Sequence, residues 1–163
     1  MQERMRGPLN SPVEVGLRAV ILLTASYPRT VDVDTLVLLD HSLVHSGDLG
    51  GPASIHPDIP MRSGELGLKR TILEDGLRLM MRAHMVDLVM TADGITYRAA
   101  DDAEAFINVL ESPYVLRLVD TAQWVVQEFA AESHLAMRQR LRAVLGRWTE
   151  ELDVRPPVTS EVQ

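Results

Sequence analysis

The sequence predicts a mainly α-helical protein carrying one small β-hairpin. Three observations predict it: serine-proline helix starts, apolar residues at helical spacing through most of the chain, and one stretch where the period drops from 3.6 to 2. With 163 residues, 46% of them apolar and 24% charged, the chain has the make-up of an ordinary globular domain. A chain of this length buries roughly two-thirds of its unfolded surface and needs no metal or disulfide staple.

The elements follow in order. Residues 1–10 form a flexible N-terminus. Ser11-Pro12-Val13-Glu14 opens a helix, with Ser11 as N-cap, Pro12 at the first turn and Glu14 completing a capping box. Val15, Leu17, Ala19–Leu23 and Ala25 make it apolar nearly all round, so it is expected at the centre; Tyr27-Pro28 stops it. Asp32 caps a second helix with Leu36, Leu39 and Leu43 on one face. Residues 47–62, rich in glycine and proline, form a long inserted loop, the kind that tends to carry function or motion.

Ser63 caps a third helix, with Leu66, Leu73, Leu77 and Met80 along one side to about His84. Gly67 and Gly76 each cost about 1 kcal/mol against alanine there, so tertiary contacts must hold it. Val86, Leu88 and Met90 then alternate with Asp87, Val89 and Thr91, and Ile95, Tyr97 and Ala99 alternate with Thr96 and Arg98. Asp93-Gly94 between them predicts a type I′ hairpin turn. Three helices followed by a hairpin is the order of a winged helix, here over residues 11–100. A C-terminal helical extension over 101–152 follows, with starts at Asp101 or Asp102, Ser112-Pro113 and Ser133, and a disordered tail over 153–163.

Composition excludes several functions. With no cysteine there is no thiol nucleophile, disulfide framework or cysteine zinc site. The N-terminus lacks the apolar run of a signal peptide, and Ala19–Ala25 and Leu36–Leu39 are too short to span a bilayer, which predicts a cytoplasmic protein with no membrane partner. A net charge of −7 argues against coating DNA by bulk electrostatics. No phosphate-binding glycine motif and no activated serine frame occurs, so neither a nucleotide cofactor nor a hydrolase is predicted.

The densest polar cluster is Asp40, His41, His45, Asp48 and His56, followed by Arg62 and Glu65. His41 and His45 are four apart on a helix, so a metal-dependent enzyme using His41, His45 and His56 is one reading. The plainer reading puts the two histidines in opposite or partly buried environments, with Asp48, Arg62 and Glu65 tying the loop down. On that reading the site holds no metal and the chain is not an enzyme. Lys69, Arg70, Arg78 and Arg82 on the third helix, with Arg98 on the hairpin, form a candidate DNA or partner face. Glu65, Glu74 and Asp75 interrupt it. Trp148, after Leu141, Val144 and Leu145, is a candidate hydrophobic anchor.

The chain resembles the second subtype of the middle component of bacterial three-component ABC-ATPase systems. The motifs are Asn10-Ser11-Pro12-x-Glu14-x-Gly16-x-Arg18, Leu39-Asp40 with His45-Ser46-Gly47-Asp48, and Gly51-Pro52 with Ser54-x-His56-Pro57. Arg62-Ser63-Gly64-Glu65, Gly94-x-x-Tyr97, Ser112-Pro113-Tyr114 and Trp124-Val125-Val126 continue it to about residue 130, and Arg147-Trp148 extends it. The resemblance implies a non-enzymatic adaptor between an SMC- or RecN-like ABC ATPase and an effector such as a nuclease, as in Lamassu-type anti-phage defence. DNA would be contacted within that complex. His45, Asp48, His56, Arg62 and Glu65 are implied only as structural or partner-contact positions. A free-standing winged-helix transcriptional regulator is the alternative.

Overall fold

A computed structural model describes residues 10–56 and 65–133, and in the last helical stretch 135–137, 139–140 and 142–143. The expectations placed on Arg62, Ser63 and Trp148 lie outside these residues, as do those on the termini; of Glu65 and Leu66 only the backbone is described.

Helix α1 (Pro12–Ser26) starts where the local chemistry says it should. Ser11 is extended, its hydroxyl accepts from the Glu14 N–H at 3.3 Å, and Pro12 occupies the first turn. The helix ends at Ser26, one residue before a cis Tyr27–Pro28 bond. It is buried almost all round, from Val15 and Gly16 through Arg18–Leu23, and packs against each of the four α-helices described below and the second strand of the hairpin.

Helix α2 (Val33–Val44) is capped by Asp32, which accepts from the Thr35 N–H at 2.7 Å and its hydroxyl at 3.1 Å. A 3-10 turn over Ser46–Leu49 follows. Helix α3 (Glu65–Arg82) crosses α1 at two glycines. A Cβ built on Gly76 would sit 2.7 Å from the Gly16 nitrogen and 2.7 Å from the Pro12 carbonyl oxygen. This close approach is the tertiary reason for a glycine inside α3; Gly67, with open space around it, has no such reason.

Helix α3 ends at Arg82, with His84 in the left-handed region at φ 61°. The Met85 N–H reaches back to the Met80 carbonyl at 2.9 Å and the His84 N–H to Met81 at 3.1 Å. That is a Schellman ending, with histidine where glycine is usual.

Strands β1 (Val86–Thr91) and β2 (Gly94–Ala99) pair antiparallel, Val86 opposite Ala99 and Thr91 opposite Gly94. The hairpin is where the sequence placed it, but its turn is one residue earlier. Ala92 and Asp93 are the central pair, and the positive φ falls on Gly94 at 117°, already paired in β2. A type I′ turn needs positive φ at both central residues, which Ala92 avoids. Val31, between α1 and α2, adds one bridge to β2, exchanging two 2.8 Å backbone bonds with Tyr97.

After the short α4 (Ala103–Asn108), Ser112 caps α5 (Pro113–Phe129), accepting from the Val115 N–H at 3.2 Å. Asp102 occupies the N-cap of α4 without a side-chain capping bond. Leu118, Ala122, Val125 and Phe129 form the buried stripe of α5, each large side chain stabilising by roughly 1.5–3 kcal/mol through burial. One hydrophobic cluster joins α1, α2, α3, the base of the hairpin, α4, α5 and Met137. No described helix is long and apolar enough to cross a membrane.

Candidate functional site

Arg18 is a charge inside the apolar helix α1, 2% exposed, and it must be paired there. Its partner is Asp40 on the inner face of α2, 5% exposed. The pairing is bidentate, Nε to Oδ1 at 2.6 Å and Nη2 to Oδ2 at 3.0 Å. Burial would lower the arginine pKa and raise the aspartate pKa, but their mutual attraction and hydrogen bonds outweigh it. Both groups therefore stay charged. Arg18 also reaches Asn10 Oδ1 at 3.5 Å and donates to the Tyr114 hydroxyl at the start of α5.

The network extends to the loop through His56, 8% exposed, whose Nε2 lies 3.0 Å from the Tyr114 oxygen. Burial first, and then the Arg18 charge, push the His56 pKa down to about 4, so the ring is neutral at pH 7.

His41, beside Asp40 on α2, does not face away from His45: their ring centroids are 4.7 Å apart. One helical turn puts both on the same side, so of the opposite or partly buried environments expected, theirs are buried for His41 and partly buried for His45. Lys69 of α3 sits 3.2 Å from His41 Nδ1. An ammonium only donates, so Nδ1 accepts and Nε2 carries the proton. Burial, then Lys69 and His45, lower the His41 pKa to about 3. Among the described residues, no group of three or more His, Cys, Asp or Glu side chains is placed to hold a metal ion.

The described half of the loop is a folded turn. Ser46 bonds both ways to it, Oγ to the Pro52 carbonyl at 2.8 Å and its own carbonyl from the Gly51 N–H at 3.0 Å. Ser54 Oγ accepts from the Gly47 N–H at 3.1 Å, and the Ile55 and His56 amides both bond the Val44 carbonyl. Gly51 lies flat under Trp124 of α5: a Cβ there would meet the indole at 2.5 Å. Asp48 is exposed in the 3-10 turn; the side chains of Ser46, Ser54 and His56 are what tie these residues down.

The basic face of α3 is paired. Arg70 bonds Asp34 of α2 and Glu74, Arg78 bonds Asp75 at 2.8 Å, and Lys69 is drawn to His41. Arg82 is exposed and Arg98 half-buried on β2. Beyond α5, Arg140 joins Glu128 and Glu132, each at 2.7 Å, over the Phe129 ring.

Sequence reasoning named His45 and His56 but passed over Arg18 and Tyr114 as site residues. The signal was present: one arginine inside the apolar run Val15–Leu23 demands a buried acid, and Asp40 is the acid inside Leu36–Val44. The residues that carry the family resemblance at Asn10, Arg18, Asp40, His56 and Tyr114 are thus one hydrogen-bonded network.

No curated protein and no solved structure matches the chain. A family model does, that of the ABC-three component (ABC-3C) system Middle Component 2, over residues 8–151. The match spans the network, the loop, the hairpin and α5, and the chain belongs to that family.

Proposed function

We propose that the chain is a non-enzymatic adaptor that holds an SMC- or RecN-like ABC ATPase and an effector, such as a nuclease, in one anti-phage defence complex of the Lamassu type. The observation that carries this reading is membership of the middle-component family over nearly the whole chain. The polar network supports it: its histidines are neutral and its charges are committed to each other, which suits a scaffold that holds a loop in shape. In this reading the protein works in the cytoplasm. Residues 11–100 form its core and 101–152 an extension, of which the described residues as far as Met137 join the same hydrophobic cluster. His45, Asp48 and His56, with Arg62 and Glu65, shape or form a partner contact, and Trp148 anchors a partner.

The test is co-expression of the tagged chain with the ATPase and effector of its system, followed by purification and native mass analysis. A stable complex containing the ATPase supports the adaptor; a chain that binds neither component sinks it.

The second reading is a winged-helix DNA-binding regulator. Its support is the order helix, bridging residue, helix, helix, hairpin, with Val31 bonded to the second strand. Against it, three of the four basic residues on α3 have intramolecular partners, so phosphate binding would first have to break the ion pairs of Arg70 and Arg78 and the hydrogen bond of Lys69 to His41. The double variant Arg70→Glu with Arg78→Glu separates the readings. A regulator loses DNA affinity with it, whereas an adaptor whose contacts lie elsewhere assembles unchanged.

A further inference from the structure

The hairpin has an unused edge. Tyr97 spends both backbone groups on Val31, so they point away from β1. Leu88, opposite Tyr97, is therefore in a non-hydrogen-bonded pair, and so is Met90, opposite Ile95. The N–H and C=O groups of Leu88 and Met90 point off the outer edge of β1, where none of the described backbone bonds meets them. The same residues expose apolar side chains, Leu88 at 46% and Met90 at 69%, with Ile95 beside them at 52%. Neither lysine nor proline guards this strand, the usual protection of an exposed edge.

Resting on the adaptor reading, we infer that the outer edge of β1 is a docking site for an extended segment of the partner ATPase, which adds a strand beside Leu88 and Met90. Two features select this occupant over a second copy of the chain. The exposed side chains offer a few hundred Å², far below the roughly 800 Å² per partner of a standard folded interface. Two copies would also each bring a net charge of −7. A single strand fits: its backbone satisfies the Leu88 and Met90 groups, and its alternate apolar side chains cover Leu88, Met90 and Ile95. Asp87, the one charged residue of β1, already has Arg98 opposite it on β2, so the added strand needs no charge of its own there.

The test is amide hydrogen exchange on the free chain and on its complex with the ATPase, alongside the variants Met90→Glu and Met90→Pro. The Met90 N–H makes no bond inside the hairpin, so proline there removes only the outward donor. Binding should slow exchange at Leu88 and Met90 by about 100-fold, while Val89, bonded within the hairpin, is slow in both states. Each variant should keep the wild-type melting temperature to within a few degrees and bind the ATPase about ten-fold more weakly or worse. An intact complex in which Leu88 and Met90 exchange as fast as in the free chain overturns the inference and leaves the adaptor reading standing. So does wild-type affinity in Met90→Glu. Protection that depends on the concentration of the chain alone would assign the edge to a second copy instead. A wild-type chain that forms no complex removes both readings together.

Discussion

Replacing Gly76 by alanine adds one methyl group at the closest approach of α1 and α3. An isolated helix would gain about 1 kcal/mol from the change, because glycine loses more backbone freedom on folding. In the folded protein the new Cβ would lie 2.7 Å from the Gly16 nitrogen, 2.7 Å from the Pro12 carbonyl oxygen and 2.9 Å from the Gly16 Cα. All three atoms are backbone, so no rotamer change relieves them. The helices must separate by roughly 1 Å, loosening Leu73 and Leu77 on either side of Gly76, and overpacking of this kind costs about 1–3 kcal/mol. With three backbone contacts the upper end applies, and subtracting the helix gain leaves a net loss of about 2 kcal/mol. That corresponds to a melting temperature lower by about 4–8 °C in a domain of this size. Urea unfolding and calorimetry read it directly. Gly67→Ala is the control: that glycine is exposed with nothing within 4 Å, so it should gain about 0.5–1 kcal/mol. If Gly76→Ala is as stable as the wild type, the helices do not meet at that glycine and the packing argument is wrong.

Asp40→Ala strands a buried guanidinium and should cost about 3–5 kcal/mol, whereas Arg18→Met with Asp40→Leu removes both charges and should recover most of it; chemical unfolding of the three proteins decides. His41 and His56 have folded pKa values of about 3 and about 4, below the unfolded value of 6.5. The unfolded chain therefore binds more protons below pH 6.5, so stability is full above that pH and falls as pH drops towards 4. A slope approaching two protons, about 2.7 kcal/mol per pH unit, is expected in that window, and His56→Gln should remove about half of it. An unchanged slope would mean His56 titrates normally. His84→Gly relieves a left-handed histidine at the end of α3 and should stabilise by about 0.5–1 kcal/mol in thermal melts, while His84→Ala should give no such gain.

Local chemistry was legible in the sequence. Ser11, Asp32 and Ser112 cap helices in the structure because a cap is settled by residues three positions apart, whatever the rest of the chain does. The hairpin was legible for the same reason, through its alternation of apolar and polar residues. Its turn was misplaced by one residue because Asp93-Gly94 suits two turn types, and the strand register chose between them. The apolar surround of α1 marks it as a central helix from the sequence alone.

Tertiary structure alone decided the pairings across the chain. Arg18 meets Asp40 from 22 residues away and His56 meets Tyr114 from 58. Neither distance has a periodicity to read. Gly76 looked like a local weakness of α3 until the crossing with Gly16 made it a requirement. The arginines of α3, interrupted in the sequence by Glu74 and Asp75, still looked like a basic face until the fold placed Asp34 of α2 beside Arg70. By itself the sequence determined where helices and strands begin and which faces are apolar, because those depend on neighbours in the chain. Which charges neutralise each other, which glycines touch and which edge stays open depend on how the finished elements dock, and only the fold decided that.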